Sequence, residues 1–448
     1  MNGGSELSNV KSRTKSTLQL LRRYESHNVT FMEADGSWPI VWQRARGVHV
    51  WDADGKKYLD LTGAFGVAAT GHSNPRVVAA GQRQMATLMH AMGDVHPHAL
   101  KAELARELSK ITFERWTSFP KSKKPDLVTG KTIFCNSGFE AVEAALKTAI
   151  LATEKRGVIA FSGAYHGLGY GALNATHRDH FRTPFRTQLR EFCSFAPFPK
   201  HEGDLADVER VIRSHLQQRR IGAILVEPIQ ARGGINIPPK GFLPLLRKLC
   251  DEHRALLILD EIYTGFGRTG KWFGCEHTGT VPDLICLGKA LTGGFPLSAC
   301  VGRADVMDQA WPLSTGEAIH TSTFLGNPVG CAMALAQIAE IKKQKLVERS
   351  ARLGNFLLRS LRSEISISKW QIEIRGVGLM AGLEIKNKMG APETRASLNI
   401  IKELLQRGFI LLPEGEHSNV ISFTPPLTIS EADLRRAVRA LNNVLNSI

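Results

Sequence analysis

The chain has 448 residues, of which 43% are hydrophobic and 22% charged, and its formal net charge is +15. This composition is that of a folded globular protein and excludes disordered and collagen-like classes. No apolar stretch approaches the roughly 20 residues that a membrane-spanning helix needs, and the first residues lack the apolar core of a secretory signal. We therefore expect a cytoplasmic protein that does not associate with membranes.

The basic residues are spread along the chain rather than gathered into one arm or stripe, which argues against nucleic acid as a partner. The excess positive charge instead suits a solvated surface that attracts anionic substrates or an acidic protein partner. The seven cysteines are odd in number, widely spaced and mostly embedded in apolar segments. This usage is typical of buried thiols in a reducing cytoplasm and predicts neither disulfides nor a metal site.

Near the N-terminus, the segment VWDADGKKYLDL places Asp54 and Gly55 between two alternating stretches, which predicts a β-hairpin. We assign this hairpin to a smaller α+β domain built from both chain ends. The predicted organisation is an N-terminal segment with part of the small domain at residues 1–80, a large cofactor-binding domain at 81–330 and the rest of the small domain at 331–448. At the C-terminus, a capping pattern from Ser430 to Asp433 precedes apolar residues at helical spacing and predicts a final helix.

Between these ends, short β-rich stretches alternate with helical patterns such as those that begin at Glu140 and Gly241. The predicted strands are Thr132–Cys135, Gly157–Phe161, Ile221–Val226, Leu256–Leu259, Leu284–Leu287 and Ser298–Val301. Such alternation indicates an α/β fold with a largely parallel sheet covered by helices on both faces. Ligands of these sheets bind at the carboxyl ends of the strands.

The segment LDEIYTGFGRTG raises the alternative of a dinucleotide-binding loop, because Gly265, Gly267 and Gly270 match the spacing G-x-G-x-x-G. That fingerprint requires its glycines directly between a strand and an apolar helix. Here several residues separate the strand from Gly265, and the following KWFGCEHTG has no helical periodicity. We interpret the glycines as shaping a long loop.

Polar residues at three strand ends point instead to a single cofactor. Asp260 ends a buried strand, where a carboxylate needs a cationic partner such as a protonated pyridine nitrogen. Lys289 follows another apolar strand, and burial there would lower its pKa and free the amine to form a Schiff base. Ser137, Gly138 and Phe139 open a helix, whose free amides and dipole favour a phosphate. An aldehyde cofactor with a phosphate and a pyridine ring needs all three features.

From about Ile40 to the C-terminus, the chain resembles the class III (ω-aminotransferase-like) enzymes of fold type I, which depend on pyridoxal 5'-phosphate. The motifs that carry the resemblance, in their expected order, are VWDADGKKYLDL, GHSNP, CNSGFEAVEAALK, AYHG, VEPIQ, LDEIYTGFGRTG, LGKALTGGFPLSA, TSTFLGNPVGCAMALA and FTPPL. The resemblance implies a large domain with a mostly parallel seven-stranded sheet flanked by helices, together with the smaller α+β domain.

The resemblance also implies roles at the cofactor ring. Lys289 would form the Schiff base and shuttle the substrate proton, and Asp260 would pair with the pyridinium nitrogen. Tyr165 would stack on the ring, with Ile262 on the other face. Glu261, the next residue along the strand from Asp260, should point to the opposite side of the sheet and be structural.

At the phosphate and the subunit boundary, the resemblance implies a second group of contacts. The amides of Gly138 and Phe139, with Ser137 nearby, would hold the phosphate, and Tyr263 could contact the phenolic oxygen of the cofactor. Thr323 resembles a threonine that reaches the phosphate from a partner subunit. This last position implies a homodimer.

The chain departs from this family at the substrate end. Many members carry QGEAG after VEP, with a glutamate that pairs with an arginine before F-x-P-P-L. Here QARGG places Arg232 at the position of the acid, and ISFTPPL places Ser422 at the position of the arginine. Arg232 is therefore a candidate carboxylate clamp, with a solvent-facing side chain as the alternative. Phe65 and Trp38 are predicted to form an apolar side of the substrate site.

The sequence thus predicts an aminotransferase with ping-pong chemistry, in which an amine or amino acid donor is followed by a carbonyl or keto-acid acceptor. A racemase, epimerase or aminomutase of the same family is the alternative, because it would use the same lysine without net amino transfer. A binding or regulatory protein with this fold is disfavoured by the presence of both Lys289 and Asp260. The identities of donor and acceptor are left open.

Overall fold

The computed structural model describes residues 12–116, 129–189, 192–218, 220–365 and 369–448. Its strands are β1 Trp42–Arg46, β2 His49–Asp52, β3 Lys57–Asp60, β4 Gly130–Cys135, β5 Gly157–Phe161, β6 Cys193–Ala196, β7 Ile221–Val226, β8 Leu256–Asp260, β9 Leu284–Leu287, β10 Ser298–Arg303, β11 Gln371–Gly376, β12 Ala381–Lys386, β13 Phe409–Ile410, β14 Leu412–Glu414 and β15 Val420–Phe423.

Helices fill most of the remaining described chain. The α-helices are α1 Arg13–Tyr24, α2 Gly63–Gly66, α3 Pro75–Thr87, α4 Ala99–Ile111, α5 Phe113–Trp116, α6 Gly138–Thr153, α7 Tyr170–Ala175, α8 Asp179–Arg182, α9 Leu205–Gln218, α10 Phe242–His253, α11 Ala304–Ala310, α12 Pro328–Lys343, α13 Leu346–Glu364, α14 Thr394–Gln406 and α15 Glu431–Ser447. Short 3₁₀ helices cover Thr183–Gln188, Glu202–Asp204, Gly274–His277 and Lys289–Leu291.

The central sheet has seven strands in the order β4-β10-β9-β8-β7-β5-β6. Strand β10 is antiparallel to both of its neighbours, and the other pairings are parallel. This confirms the predicted mostly parallel seven-stranded sheet. The six predicted strands are all present, and β6 is an addition. The segment CSFA of β6 was missed because it is short and contains no β-branched residue.

Helices cover both faces of the sheet, which explains why its central strands are continuously apolar. All six residues of β7 are buried, with Ile224 directed to one face and Leu225 to the other. Alanines of α6 pack on the Leu225 face, while apolar residues of α9 and α10 pack on the Ile224 face. Removing this apolar surface from water is the main stabilising contribution to the central layer.

Two smaller sheets use the chain ends. The predicted hairpin forms as β2 and β3, and β13 from the C-terminal region pairs parallel with β3 to give the order β1-β2-β3-β13. The second small sheet has the order β11-β12-β15-β14. The predicted domain boundary between residues 330 and 331 falls within the continuous helix α12. The predicted C-terminal helix forms as α15, where the Ser430 hydroxyl accepts a hydrogen bond from the Asp433 amide.

Gly265, Gly267 and Gly270 lie in consecutive turns rather than between a strand and a long helix. Within these turns, Arg268 is buried and donates hydrogen bonds to backbone carbonyls of the C-terminal region. The turns therefore hold this loop against the C-terminal region. This agrees with the interpretation that the glycines shape a long loop. Among the described residues, no helix is both long enough and apolar enough to cross a membrane.

Candidate active site

A pocket opens at the carboxyl ends of β8 and β9, beside the N-terminus of α6. Its lining residues are Gly138, Phe139, Tyr165, His166, Gly167, Leu168, Glu227, Ala231, Arg232, Asp260, Ile262, Tyr263 and Lys289. Most of the residues predicted for cofactor and substrate are thus brought together within one chain, because β8 and β9 are parallel neighbours and end at the same edge of the sheet.

Lys289 is half-buried in this pocket, on the 3₁₀ turn that follows β9 and Gly288. Its φ of 42° lies in the left-handed region, which residues other than glycine rarely adopt and which recurs at functional sites. The Nζ atom lies 4.4 Å from the centre of the Tyr263 ring. Burial lowers the pKa of Lys289, while the nearby carboxylates of Asp260 and Glu227 act in the opposite direction. The net effect of the surroundings is a pKa of Lys289 below the ordinary value of a lysine side chain.

Asp260, the last residue of β8, is 5% exposed and is held by two partners. The Nδ1 atom of the buried His166 lies 2.8 Å from its Oδ2, and the Ile262 amide donates to its Oδ1 at 3.2 Å. Because an ionised carboxylate only accepts, His166 donates from Nδ1. His166 is not among the predicted site residues, although it follows Tyr165 directly in the motif AYHG.

The N-terminus of α6 fits a phosphate group. The Ser137 hydroxyl is buried and has no hydrogen-bond partner among the described residues, while the Glu140 carboxylate accepts from the Asn136 amide at 2.6 Å. A Cβ atom built on Gly138 would lie only 3.0 Å from Ile262 Cδ1, so glycine allows the helix start to approach the pocket closely. Together with the half-buried lysine and the buried aspartate, this unpartnered hydroxyl and helix start fit pyridoxal 5'-phosphate.

Glu227, which follows β7, links two loops of the pocket. Its carboxylate accepts hydrogen bonds from the amides of Tyr165 at 3.0 Å and Ala231 at 3.1 Å. Burial raises the pKa of Glu227 to about 7. The guanidinium carbon of Arg232 lies 5.4 Å from the centre of the Tyr165 ring, within range of a cation–π contact. Glu227 thus joins the loop that carries Tyr165 to the residue that precedes Arg232.

Arg232 faces a glutamate that the sequence analysis did not identify. Its side chain is 34% exposed, and its Nε lies 3.4 Å from Oε2 of Glu414, which is 3% exposed. Ser422 donates instead to the Leu412 carbonyl at 3.1 Å. Nothing in the segment LLPEGEHSN connects Glu414 with Arg232 by spacing. Only the pairing of β14 with β15 brings the glutamate to this position.

Two neighbours of Asp260 differ in their surroundings. Tyr263 lines the pocket, with its hydroxyl 3.2 Å from Thr424 Oγ1, and burial raises its pKa to about 12. Glu261 accepts from the amides of Gly274 and Cys275, both at 2.8 Å, and does not line the pocket. Its contacts agree with the predicted structural role.

Four predicted site residues are not among those that line the pocket of the same chain: Ser137, which lies beside it at the start of α6, and three residues further away. Phe65 is 47% exposed, Thr323 is exposed, and the half-buried Trp38 packs on the apolar cluster that contains Val50 and Tyr58. Their assignments stay predictions. Across the described residues, no group of three or more His, Cys, Asp or Glu side chains is arranged to hold a metal ion.

Comparison with known proteins identifies the family. The family model described as Aminotransferase class-III matches residues 31–445. The chain belongs to the class III aminotransferases. This enzyme is 37% identical to the 5-aminovalerate aminotransferase DavT of Pseudomonas aeruginosa, over 90% of this chain and 92% of the relative. It is 38% identical to the putrescine aminotransferase of Pectobacterium atrosepticum, over 92% of this chain and 84% of the relative.

A solved structure supports the same assignment for this class III aminotransferase. The omega transaminase of Pseudomonas jessenii, determined in complex with PMP, superposes with a TM-score of 0.85 at 26% identity. The match covers 96% of this chain and 97% of the Pseudomonas jessenii chain. The enzyme is an aminotransferase with fold type I that depends on pyridoxal 5'-phosphate.

Proposed function

We propose that this aminotransferase moves an amino group from an amine or amino acid donor to a keto-acid acceptor in two successive half-reactions. The observation that carries the proposal is a single pocket that combines the amine of Lys289 with the guanidinium of Arg232. The names of two relatives, a 5-aminovalerate and a putrescine aminotransferase, favour donors with an amine at the end of an aliphatic chain.

Proton transfer is the proposed task of Lys289. Pyridoxal 5'-phosphate, when bound, supplies an aldehyde that captures the donor amine and a ring that accepts electrons from it. The Lys289 Nζ, whose pKa burial lowers, takes a proton from the donor carbon and later returns one to the product side. Asp260, held by His166 at 2.8 Å, presents a negative charge that keeps a pyridine nitrogen protonated.

The remaining cofactor contacts are proposed for residues around the helix start and the two loops. The unpartnered hydroxyl of Ser137 and the first amides of α6, at Gly138 and Phe139, would hold the phosphate. Tyr165 and Ile262 would bound the two faces of the ring. Separate elements of the fold thus supply the lysine, the aspartate, the helix start and the apolar contacts of the ring. These elements meet in one pocket.

At the substrate end, we assign the acceptor carboxylate to Arg232. A guanidinium matches a carboxylate in shape and charge, and its pair is stronger in a partly desolvated pocket than in water. The 34% exposure of the Arg232 side chain leaves part of it open to a ligand. Phe65 and Trp38 stay proposals for the apolar part of the site.

The proposed assembly is a cytoplasmic homodimer. All seven cysteines are free and buried, which suits a reducing compartment, and Phe65 and Thr323 both lie on the exposed surface. Thr323 would complete the phosphate site of the partner subunit. Thr323→Ala should then weaken cofactor retention more than it slows turnover, and sedimentation should give a dimer at assay concentration. A fully active monomer would contradict this assembly.

A half-reaction screen tests the proposed function. Holoenzyme is mixed with 5-aminovalerate, putrescine or an α-amino acid, with no acceptor present. The expected result is loss of the visible absorbance of bound pyridoxal 5'-phosphate and formation of PMP, detected by mass spectrometry. Adding a keto acid should reverse both changes. Racemisation of an amino acid without any PMP formation would favour the racemase alternative instead.

A further inference from the structure

The four residues of α2, Gly63 to Gly66, form a strained turn. Their φ angles are all positive, and Ala64 (φ 50°, ψ 61°) and Phe65 (φ 60°, ψ 36°) lie in the left-handed helical region. This conformation is unfavourable for residues with a Cβ atom, because that atom approaches the following carbonyl oxygen. Such strain persists only where the surrounding structure imposes it, and it recurs at functional sites. Other parts of the fold must therefore hold this α2 turn in place.

The fully buried carboxylate of Asp60 holds the entry to the α2 turn. Its Oδ1 accepts hydrogen bonds from the Thr62 amide at 2.8 Å and the Thr62 hydroxyl at 2.6 Å. Its Oδ2 accepts from the Ala64 amide at 3.1 Å, and Nε2 of His72 lies 2.7 Å from the same oxygen. These contacts satisfy the buried acid and fix the α2 turn relative to strand β3.

The exit of the α2 turn packs on the ring of Tyr263. A Cβ atom built on Gly66 would lie only 3.0 Å from Cε1 of Tyr263, so the glycine backbone lies directly against the ring. The Thr424 hydroxyl donates to the Thr62 carbonyl at 3.0 Å and lies 3.2 Å from the Tyr263 hydroxyl. Because a hydroxyl has one proton, the tyrosine is the donor in the second contact. The α2 turn and Thr424 together fix the position of the ring.

Tyr263 presents the face of this ring to the lysine of the pocket. Nζ of Lys289 lies over the ring, 4.4 Å from its centre, which is within range of a cation–π contact. The tyrosine is 8% exposed, and such contacts are strongest where water is excluded. A ring face attracts the charged ammonium, whereas a neutral amine has no net charge for it to attract. The contact therefore favours the protonated form of Lys289.

We propose that the α2 turn and Tyr263 position a charge-stabilising ring face for Lys289. The turn holds the ring against Nζ, and the ring stabilises the ammonium that the lysine becomes each time it takes up a proton. The inference rests on the proposed function, in which Lys289 takes a proton from the donor carbon and later returns one. Burial disfavours the charged lysine, and the ring offsets part of that cost once the proton has arrived. The ring thus acts where charge develops during the reaction.

Other groups also act on the charge of Lys289. Burial is the main cause that lowers its pKa. The charged groups that act on it are three carboxylates, which raise the pKa, and one guanidinium, which lowers it: Asp260, Glu227, Glu414 and Arg232. All four stay in place when only Tyr263 is changed. A difference between the wild type and a Tyr263 variant therefore isolates the contribution of the ring.

Competitive labelling tests the inference on the PMP form of the holoenzyme, in which the amine of Lys289 is free. Apoenzyme is reconstituted with PMP, so no turnover is needed. Acetylation by acetic anhydride is followed against pH by mass spectrometry of the peptide that contains Lys289, which gives its pKa. Tyr263→Leu should lower this pKa by about 0.4–1.5 units, because the ammonium loses the ring. Tyr263→Phe keeps the ring and should stay close to the wild type.

Two glycine–alanine exchanges test whether the α2 turn positions the ring. Gly66→Ala places a Cβ atom against Tyr263, so it should displace the ring and lower the pKa of Lys289 as Tyr263→Leu does. This variant supplies the same test should Tyr263→Leu not fold. Ala64→Gly puts the residue that tolerates a positive φ at a left-handed position and should leave the pKa unchanged. Tyr24→Leu, at a tyrosine that is 72% exposed, is the matched control and should also leave it unchanged.

The rate of the half-reaction gives a second measurement. With PMP enzyme and a keto acid, Tyr263→Leu should slow the reaction about two- to thirtyfold while PMP stays bound, and Tyr263→Phe should not. An unchanged pKa of Lys289 in Tyr263→Leu, an equal fall in Tyr263→Phe, or no fall in Gly66→Ala would overturn the inference. Because the labelling uses neither donor nor acceptor, its outcome is independent of the screen that tests the proposed amino transfer.

Discussion

Two acid–base pairs in the same pocket are built in opposite ways. Asp260 and His166 are both almost completely buried, their contact is 2.8 Å, and the Ile262 amide adds a second hydrogen bond to the acid. Glu414 and Arg232 are separated by 3.4 Å without a hydrogen bond at Nε, and the arginine is partly exposed. The acid of the first pair has a hydrogen bond at each oxygen, although Nε2 of His166 has no partner among the described residues, whereas the second pair lacks a hydrogen bond at Nε of Arg232.

The difference follows from what each end of the pocket must do. Under the proposed function, Asp260 would stabilise the pyridine nitrogen of the cofactor in both half-reactions, a task that a rigid carboxylate serves best. At the other end, the two proposed substrates would enter in turn, and a partly exposed arginine leaves room for them. The tight pair thus lies where the cofactor is proposed to bind, and the loose pair lies where the substrates are proposed to bind. The four predictions below test this contrast.

Lys289→Ala should cause the largest loss of turnover, at least about a hundred- to ten-thousandfold, because it removes the group that moves the proton. Cofactor should still bind through its phosphate and ring. Borohydride treatment of wild-type holoenzyme should attach the cofactor mass to the peptide that contains Lys289. Lys271→Ala, which removes an exposed lysine, is the matched control and should keep full activity. A cofactor label on a different lysine would refute the assignment.

Asp260→Asn should reduce kcat about a hundred- to a thousandfold, the loss typical of removing one preorganised charge from an active site. Asparagine keeps the size of the side chain but no longer favours a protonated ring nitrogen. Stopped-flow half-reactions would measure the effect, with far-UV circular dichroism to check folding. A variant with unchanged kcat would mean that the tight pair is structural only.

Arg232→Ala should reduce kcat/KM about ten- to a hundredfold for substrates that carry a carboxylate, because a charge-assisted pair contributes about 1.5–3 kcal/mol. Amines without a carboxylate should be nearly unaffected. Steady-state assays with 5-aminovalerate and putrescine as paired donors make the comparison. Equal losses for both donors, or none for either, would show that Arg232 does not bind the carboxylate.

Glu261→Gln should change turnover least, by less than about twofold, and should instead alter stability. Burial raises the pKa of Glu261 to about 7 from an ordinary value of 4.5, so the folded state holds a proton that the unfolded state releases between these pH values. The contribution of this group to stability is therefore present at low pH and is lost as the pH rises toward 7.

Urea unfolding of the apoenzyme at pH 5 and 7 measures this effect. Between these pH values, the free energy of unfolding should fall by about 1–3 kcal/mol more in the wild type than in Glu261→Gln. The same pH dependence in both proteins would contradict the assignment. A large loss of turnover in Glu261→Gln would mean that Glu261 acts in catalysis together with Asp260. Its hydrogen bonds with the amides of Gly274 and Cys275 argue against such a role.

The cofactor end could be predicted from the sequence because its residues lie next to elements with strong local signals. Asp260 and Lys289 lie at the ends of apolar strands, and Ser137 to Phe139 open a helix. In a parallel sheet, strand ends meet at one edge, so local position in the chain determines position in space. The seven-stranded sheet and the hairpin at Asp54 follow from the same local patterns, except for the short strand β6.

Only the tertiary structure decided the partners of the polar groups. His166 and Asp260 are 94 residues apart, and no periodicity connects them. Glu414 reaches Arg232 through the pairing of β14 with β15 and the hydrogen bond from Gly415, contacts between distant segments that no local pattern reports. Strand and helix formation depends on neighbouring residues, whereas the cost of burying a charge depends on whatever the fold places beside it. The chain alone thus indicated which polar groups meet at the strand ends, and folding set which acid faces which base.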